Sequence, residues 1–182
     1  TNGCIYFVDD MQPITLKSGR VVPFLVGSRN RWIFPENDNR GFAKWAYSQD
    51  LTEMQKLGPG HHYGEWWGQG IQRTYGLKEK RFSLFDTSRW TEKTKPSHCH
   101  VVPVLYQGLL ITEEQLPADD YEEGGMVIYG NQYIALSRLK NYGSVAAPGF
   151  MKPEGIVIFH TAANQYFKIT LENDEKPKGN VL

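Results

Sequence analysis

Short apolar runs typical of β-strands outnumber helical segments along this chain, and the two kinds of segment do not alternate regularly. A doubly wound parallel sheet needs a helix between successive strands, so this order argues against one. The strand-type runs are residues 4–8, 21–26, 31–34, 63–67, 69–73, 82–87, 101–111, 155–160 and 165–171. The sequence therefore predicts a strand-rich α+β domain with short helices.

Two segments carry the spacing of helices. Apolar residues recur three or four positions apart over 42–57 and again over 132–142. Asp50 with Glu53 forms a capping box that restarts the first helix, and residues 112–115 offer a second such box.

Length, charge and cysteine usage narrow the class of protein. The 182 residues suit one domain, which we place at residues 1–172, followed by a polar tail at 173–182. Twenty basic residues balance twenty acidic ones, which argues against a polybasic nucleic-acid arm. No signal peptide and no apolar run of about 18 residues is visible, so no membrane span is expected. Cys4 and Cys99 are too few for a disulfide framework, which favours a cytoplasmic protein.

Polar residues stand in unusual places in the first half of the chain. Arg29 and Arg31 follow an apolar strand, where they could clamp a phosphate or simply form a solvated strand end. Glu65 stands beside two tryptophans within a glycine-framed stretch. It could meet a ligand, or it could point to solvent while the tryptophans pack in the core.

Two further segments leave the same choice open. Of Phe82 and Phe85, which lie on opposite faces of one strand-type run, one could stack on a base, or both could belong to the core. Glu154 opens an apolar strand and Lys168 lies within another. They could bind Mg²⁺ and a phosphate, or they could pair with each other across adjacent strands. The histidines and cysteines do not fit the ligand spacing of zinc sites.

Taken in order, these segments resemble the motifs of the covalent nucleotidyltransferases, the superfamily of ATP-dependent DNA ligases, RNA ligases and mRNA capping enzymes. The phage-type RNA ligases that seal nicked duplex RNA are most similar, especially at residues 64–72 and 153–157. The resemblance spans about residues 1–170 and implies a nucleotidyltransferase domain of mostly antiparallel sheets with short flanking helices. The matching positions are Ser28-Arg29, Gly64-Glu65 with Gly68, Phe82 with Phe85 and Asp86, Glu154-Gly155 with Val157, and Lys168.

The resemblance implies a role for each matched residue. Some would hold the nucleotide: Asn2 beside the nucleophile, Arg29 at the ribose or phosphate, Glu65 at the ribose hydroxyls, and Phe85 on adenine, with Phe82 as the alternative. The others would serve catalysis: Glu154 would bind Mg²⁺ and Lys168 would neutralise the α-phosphate. Thr170 stands where a second lysine is common, and Lys176 or Lys178 could replace it.

The nucleophile of that family is a lysine, followed by two residues and then Gly-Thr-Asn. Thr1 and Asn2 resemble the end of this motif, so the lysine would precede residue 1 and this chain alone would form no adenylate. The implied activity uses ATP and Mg²⁺ to join a 5′-phosphate to a 3′-hydroxyl, with RNA as the substrate and RNA repair as the setting. The alternatives are a DNA ligase, a capping-type guanylyltransferase, and a nucleotide- or nucleic-acid-binding module without catalysis.

Overall fold

The computed structural model describes residues 1–38, 40–109 and 131–171, without the side chains of residues 131 and 133. The chain forms two compact units, Thr1–Val102 and Pro103–Leu182. The described residues combine mostly antiparallel sheets with few helices, so the predicted α+β class is confirmed. No helix in these ranges is long and apolar enough to cross a membrane.

The first unit is built on a five-stranded sheet with the order β4-β1-β5-β6-β7. Its strands are antiparallel to their neighbours, except that β7 runs parallel to β6. A separate two-stranded hairpin, β2 with β3, closes through a polar turn at residues 17–20. The elements are β1 (Asn2–Phe7), β2 (Ile14–Thr15), β3 (Val21–Val22), β4 (Leu25–Gly27), α1 (Phe42–Ser48), α2 (Leu51–Gln55), β5 (Gly60–Gly68), a 3₁₀ turn (Thr74–Gly76), β6 (Lys80–Leu84) and β7 (His100–Val101).

One face of this sheet packs into the core, and two glycines make that packing possible. Gly3 of β1 lies directly opposite Gly64 of β5. The rings of Phe42, from α1, and Phe82, from β6, fill the space above them, with their centroids 4.8 Å apart. Because a side chain at either glycine would overlap these rings, the glycines are a requirement of the core.

The predicted helix over 42–57 is two helices, α1 and α2. The Asp50 carboxylate accepts a hydrogen bond from the backbone amide of Glu53 at 2.9 Å, so the Asp50 half of the predicted capping box starts α2. The Glu53 carboxylate accepts instead from Lys56 and from the backbone amide of Ser97. The beginning of α1 is capped from outside by Asp38, whose carboxylate accepts hydrogen bonds from several backbone amides around the first turn.

Several strand predictions are wrong in whole or in part. The run 21–26 is divided between β3 and β4, which belong to different sheets, and the run 82–87 is in a strand only as far as Leu84. Residues 31–34 contribute only an isolated bridge at Trp32. Residues 69–73 form turns, because the chain bends back at Gly68 and Gly70, both with positive φ. Of the run 101–111, only its first residue is in a strand; Pro103 then removes a backbone donor, and residues 110–111 lie outside the described part.

The second unit contains α3 (Asn131–Tyr142) and a hairpin of β8 (Gly155–His160) with β9 (Gln165–Thr170). These agree with the predicted helix and the last two predicted strands. Leu136 and Leu139 of α3 pack with Ile156 of β8 in a small apolar cluster. The predicted capping box at 112–115 and the polar tail at 173–182 lie outside the described residues.

Candidate functional site

The face of the five-stranded sheet opposite the core carries alternate residues of β1, β5 and β6. We call it the open face, because Asn2, Tyr63 and Glu65 are at least partly exposed there, although Cys4 and Ser83 are buried. Antiparallel partners point to the same side of a sheet. The register pairs Asn2 with Glu65, and Glu65 with Ser83, so these three side chains form one row across the open face. A neighbouring row contains Cys4 and Tyr63.

Asn2, Arg29 and Glu65 form a hydrogen-bonded cluster on the open face. With the Asn2 amide turned to satisfy both neighbours, its nitrogen donates to Glu65 Oε2 at 3.2 Å. Its oxygen then accepts from the Nε and Nη2 atoms of Arg29, each at 3.2 Å. The structure thus brings together three predicted site residues from well-separated parts of the sequence.

A tight turn after β4 places Arg29 in this cluster. The backbone amide of Ser28 donates to the carbonyl oxygen of Arg31 at 2.9 Å, which closes the turn and leaves Arg29 at its tip. The β1–β4 register pairs Cys4 with Gly27, and its continuation brings Asn2 opposite Arg29. Arg29 and Arg31 are both exposed, so their guanidinium groups are accessible to an anion.

The structure separates the two candidate phenylalanines. Phe82 is fully buried and packs against Phe42 and Trp45, so it belongs to the core and cannot stack on a ligand. Phe85 is 37% exposed, and its backbone amide donates to the carbonyl oxygen of Tyr63 at 3.0 Å. Phe85 therefore continues β6 on the open face, in the row next to Glu65.

The glycine-framed segment around Glu65 serves mainly for packing. Trp66 lies in the core, where its indole nitrogen donates to the Arg40 carbonyl oxygen at 3.0 Å. Trp67 lies on the opposite side, and its nitrogen donates to Ser83 Oγ at 2.8 Å. Gly64 faces the core, so close approach of a ligand does not explain it.

Glu65 is also in contact with the first residue of the chain. The Thr1 nitrogen pairs with the Glu65 carboxylate, and it donates to the carbonyl oxygen of Trp66 at 2.8 Å. The backbone amide of Trp66 in turn donates to the Thr1 carbonyl oxygen at 2.8 Å. These bonds hold residue 1 alongside β5, next to the cluster.

Glu154 and Lys168 lie in the hairpin of the second unit. Lys168 Nζ is 2.5 Å from Glu154 Oε1, which is the cross-strand pair given above as the structural alternative for these two residues. Both side chains are partly exposed, so the pair remains accessible to other charged groups. Thr170, which stands where the ligase motif commonly has a second lysine, pairs with Gly155 in the strand register. The two lysines named as its replacement, Lys176 and Lys178, lie outside the described residues.

The two cysteines are unsuited to nucleophilic chemistry at neutral pH, and His62 is buried and neutral. Burial raises the pKa of the Cys4 thiol to about 11 and that of Cys99 to about 12, so neither provides a thiolate nucleophile. Burial lowers the pKa of His62, whose Nε2 atom lies 2.9 Å from the carbonyl oxygen of Gly58. Within residues 1–38, 40–109 and 131–171, no group of three His, Cys, Asp or Glu side chains is arranged to hold a metal.

Several aromatic residues on the open face were not singled out from the sequence. Tyr6, Trp32, His61 and Tyr63 lie near one another there, with rings in contact. The signal was the alternation of His61, Tyr63 and Glu65 along one strand, which puts all three on the same face. The comparisons add no assignment: no protein-family model, curated protein or solved structure matches this chain significantly.

Proposed function

We propose that this chain is the nucleotide-binding part of a covalent nucleotidyltransferase of the RNA ligase type. Such an enzyme transfers AMP from ATP through a lysyl-AMP to a 5′-phosphate, and a 3′-hydroxyl then seals the break. The observation that carries the proposal is the cluster of Asn2, Arg29 and Glu65 on the open face. The ordered motifs predict these residues to share one nucleotide site, and they are hydrogen-bonded neighbours.

The chemistry of the cluster suits a ribonucleotide. The Glu65 carboxylate can accept hydrogen bonds from both ribose hydroxyls. The exposed Arg29 guanidinium can form paired hydrogen bonds with phosphate oxygens. Phe85 presents a partly exposed ring one row away, where a base can stack on it.

In this proposal Glu154 and Lys168 supply the charges for the transfer. Mg²⁺ is commonly held by one or two carboxylates together with phosphate oxygens, so the single Glu154 carboxylate fits a metal completed by the nucleotide. When bound, Mg²⁺ would stabilise negative charge on the phosphate oxygens. Lys168 would leave its pair with Glu154 to neutralise the α-phosphate.

The covalent step requires a lysine amine upstream of Thr1. The neutral amine attacks the α-phosphorus, the bond to the pyrophosphate oxygen breaks, and a phosphoramidate with AMP forms. The backbone bonds between Thr1 and Trp66 support this arrangement, because a chain that enters through Thr1 begins beside Glu65.

Nucleotide binding tests the proposal on the chain as it stands. Isothermal titration with ATP should show binding, and Glu65→Ala should weaken it by roughly 10- to 100-fold, the loss expected for hydrogen bonds to a charged group. Glu92→Ala is the matched control, because Glu92 is 72% exposed and lies outside the cluster. Equal affinity of the wild type and Glu65→Ala would contradict the assignment, and a preference for GTP would favour the capping-type alternative.

Covalent chemistry is tested by intact mass spectrometry on a longer chain that includes the upstream lysine. Incubation with ATP and Mg²⁺ should add the mass of one AMP, and added pyrophosphate should remove it. Nucleotide binding without any adduct in that longer protein would support the non-catalytic alternative instead. RNA and DNA substrates with nicks then decide between the RNA and DNA ligase readings.

A further inference from the structure

A continuous stripe of aromatic rings crosses the open face of the five-stranded sheet. Its members come from β1, β5 and the segment that follows β4; they are Tyr6, Trp32, His61 and Tyr63. The Tyr6 ring lies 4.4 Å from that of His61 and 6.1 Å from that of Trp32, between centroids. His61 and Tyr63 are nearly parallel, at 5.7 Å and 10°. We call these four residues the aromatic stripe.

The rings of the aromatic stripe are exposed rather than packed into the core. Trp32 is 42% exposed and Tyr63 is 58% exposed. The apolar core of this unit lies on the other face of the sheet, around Phe82 and Trp66. A contiguous apolar surface of this kind marks a binding site more often than a chance arrangement.

Positive charge adjoins one end of the aromatic stripe. Arg31 directly precedes Trp32 and is exposed, and Arg29 lies in the same turn. A cavity of about 100 Å³ beside this turn is lined by Asn2, Arg31 and Arg40, among others. Its acidic member, Asp38, already accepts several backbone hydrogen bonds at α1, which leaves the guanidinium groups to attract an anion.

We propose that the aromatic stripe binds the unpaired bases of a single-stranded nucleic acid, with the phosphates of that strand beside Arg31. Exposed rings next to basic side chains are the arrangement that proteins use for single strands, because every base offers a face for stacking. In a duplex the bases stack on each other and their faces are not available. The inference names the form of the polynucleotide substrate and in that respect rests on the proposed function.

Fluorescence anisotropy with a labelled oligouridylate of about twelve nucleotides tests the inference. The wild-type chain should bind it more tightly than an RNA duplex of the same length. Tyr63→Ala should weaken single-strand binding by roughly 5- to 100-fold, which corresponds to the loss of one stacked base. Tyr63→Phe, which keeps the ring, should restore it, and Tyr142→Ala, at a highly exposed position of α3, is the matched control.

The salt dependence tests the basic part of the site. Arg31→Ala should reduce the slope of log affinity against log salt by about 0.7, the value for one phosphate contact on a single strand. An oligodeoxythymidylate in place of the oligouridylate distinguishes RNA from DNA as the ligand. Wild-type affinity in both Tyr63→Ala and Arg31→Ala would overturn the inference.

Titration of the same variants with ATP separates this inference from the proposed function. ATP binding without oligonucleotide binding would overturn the single-strand site and leave the nucleotide site in place. Oligonucleotide binding that depends on Tyr63, in a chain that does not bind ATP, would support the single-strand site and contradict the proposed function. Duplex binding as tight as single-strand binding would also overturn the role of the aromatic stripe.

Discussion

Replacing Gly64 with alanine tests the packing that supports the candidate site. Gly64 lies in β5 beside Glu65, with its α-carbon facing the core. An added Cβ atom would lie 2.6 Å from the Phe82 ring and 2.5 Å from the carbonyl oxygen of Ser83. A real Cβ atom does not approach other atoms so closely, so either the ring or the β5–β6 pairing must shift.

The expected cost follows from these two contacts. Overpacking a well-packed core costs about 1–3 kcal/mol. The Phe82 ring can turn or move, but the Ser83 oxygen belongs to the backbone of a paired strand and cannot move alone. We therefore expect a loss near the upper value, about 3 kcal/mol, which lowers Tm by roughly 6–12 °C for a chain of this size.

Urea denaturation followed by tryptophan fluorescence measures this loss, since Trp45 and Trp66 pack in the same core. The double variant with Phe82→Leu removes the ring contact but keeps the contact with the Ser83 oxygen. The loss of unfolding free energy in the double variant should therefore be smaller than the sum of the losses in the two single variants, by about 0.5–3 kcal/mol. Gly19→Ala is the control: nothing lies within 4 Å of its added Cβ atom, so its cost comes from the positive φ of 82°, which Gly64 does not share. A Gly64→Ala loss below that of Gly19→Ala, with strict additivity in the double variant, would contradict overpacking at Gly64.

Three other substitutions test separate parts of the account. Burial lowers the pKa of His62, so the unfolded chain binds more protons than the folded chain, and the free energy of unfolding should fall as the pH drops below about 6.5. In urea titrations at several pH values, His62→Gln should make this fall less steep. The exposed His61→Gln is the control. Asp38→Ala should lower the free energy of unfolding by about 1–2 kcal/mol, because α1 loses its cap, and Asp38→Asn should lower it by less. Equal stability of the wild type and both variants would contradict the capping role. Glu154→Ala should abolish AMP transfer in a lysine-containing protein without changing its circular dichroism, and unchanged transfer would exclude the metal role.

Local sequence signals predicted those elements whose causes are local. The Asp50 cap and the last two strands were found because a side-chain cap and a short apolar run each act over a few residues. The strand predicted at residues 69–73 was wrong: Ile71 is the one large apolar residue in this segment, and the positive φ values at Gly68 and Gly70 turn the chain there. The run from residue 101 stops early because pairing depends on a partner strand as well as on apolar side chains.

The candidate site depends on strand register, which periodicity does not supply. Only the register places Asn2 opposite Glu65, and only the turn after β4 brings Arg29 to them. The resemblance to the ligase motifs grouped these residues in advance, but it left Phe82 and Phe85 as alternatives. Burial separates those two residues, and burial could not be read from an alternation that gives both faces an aromatic residue.

Chemical-shift mapping by NMR, on the ¹⁵N-labelled chain titrated with ATP, tests the nucleotide site most directly. The account predicts saturable shifts of the backbone amides of Asn2, Glu65 and Phe85 and of the Asn2 side-chain amide. It also predicts that Glu65→Ala reduces these shifts at the same ATP concentration. Shifts confined to other parts of the chain, or no shifts at saturating ATP, would contradict a nucleotide site on the open face.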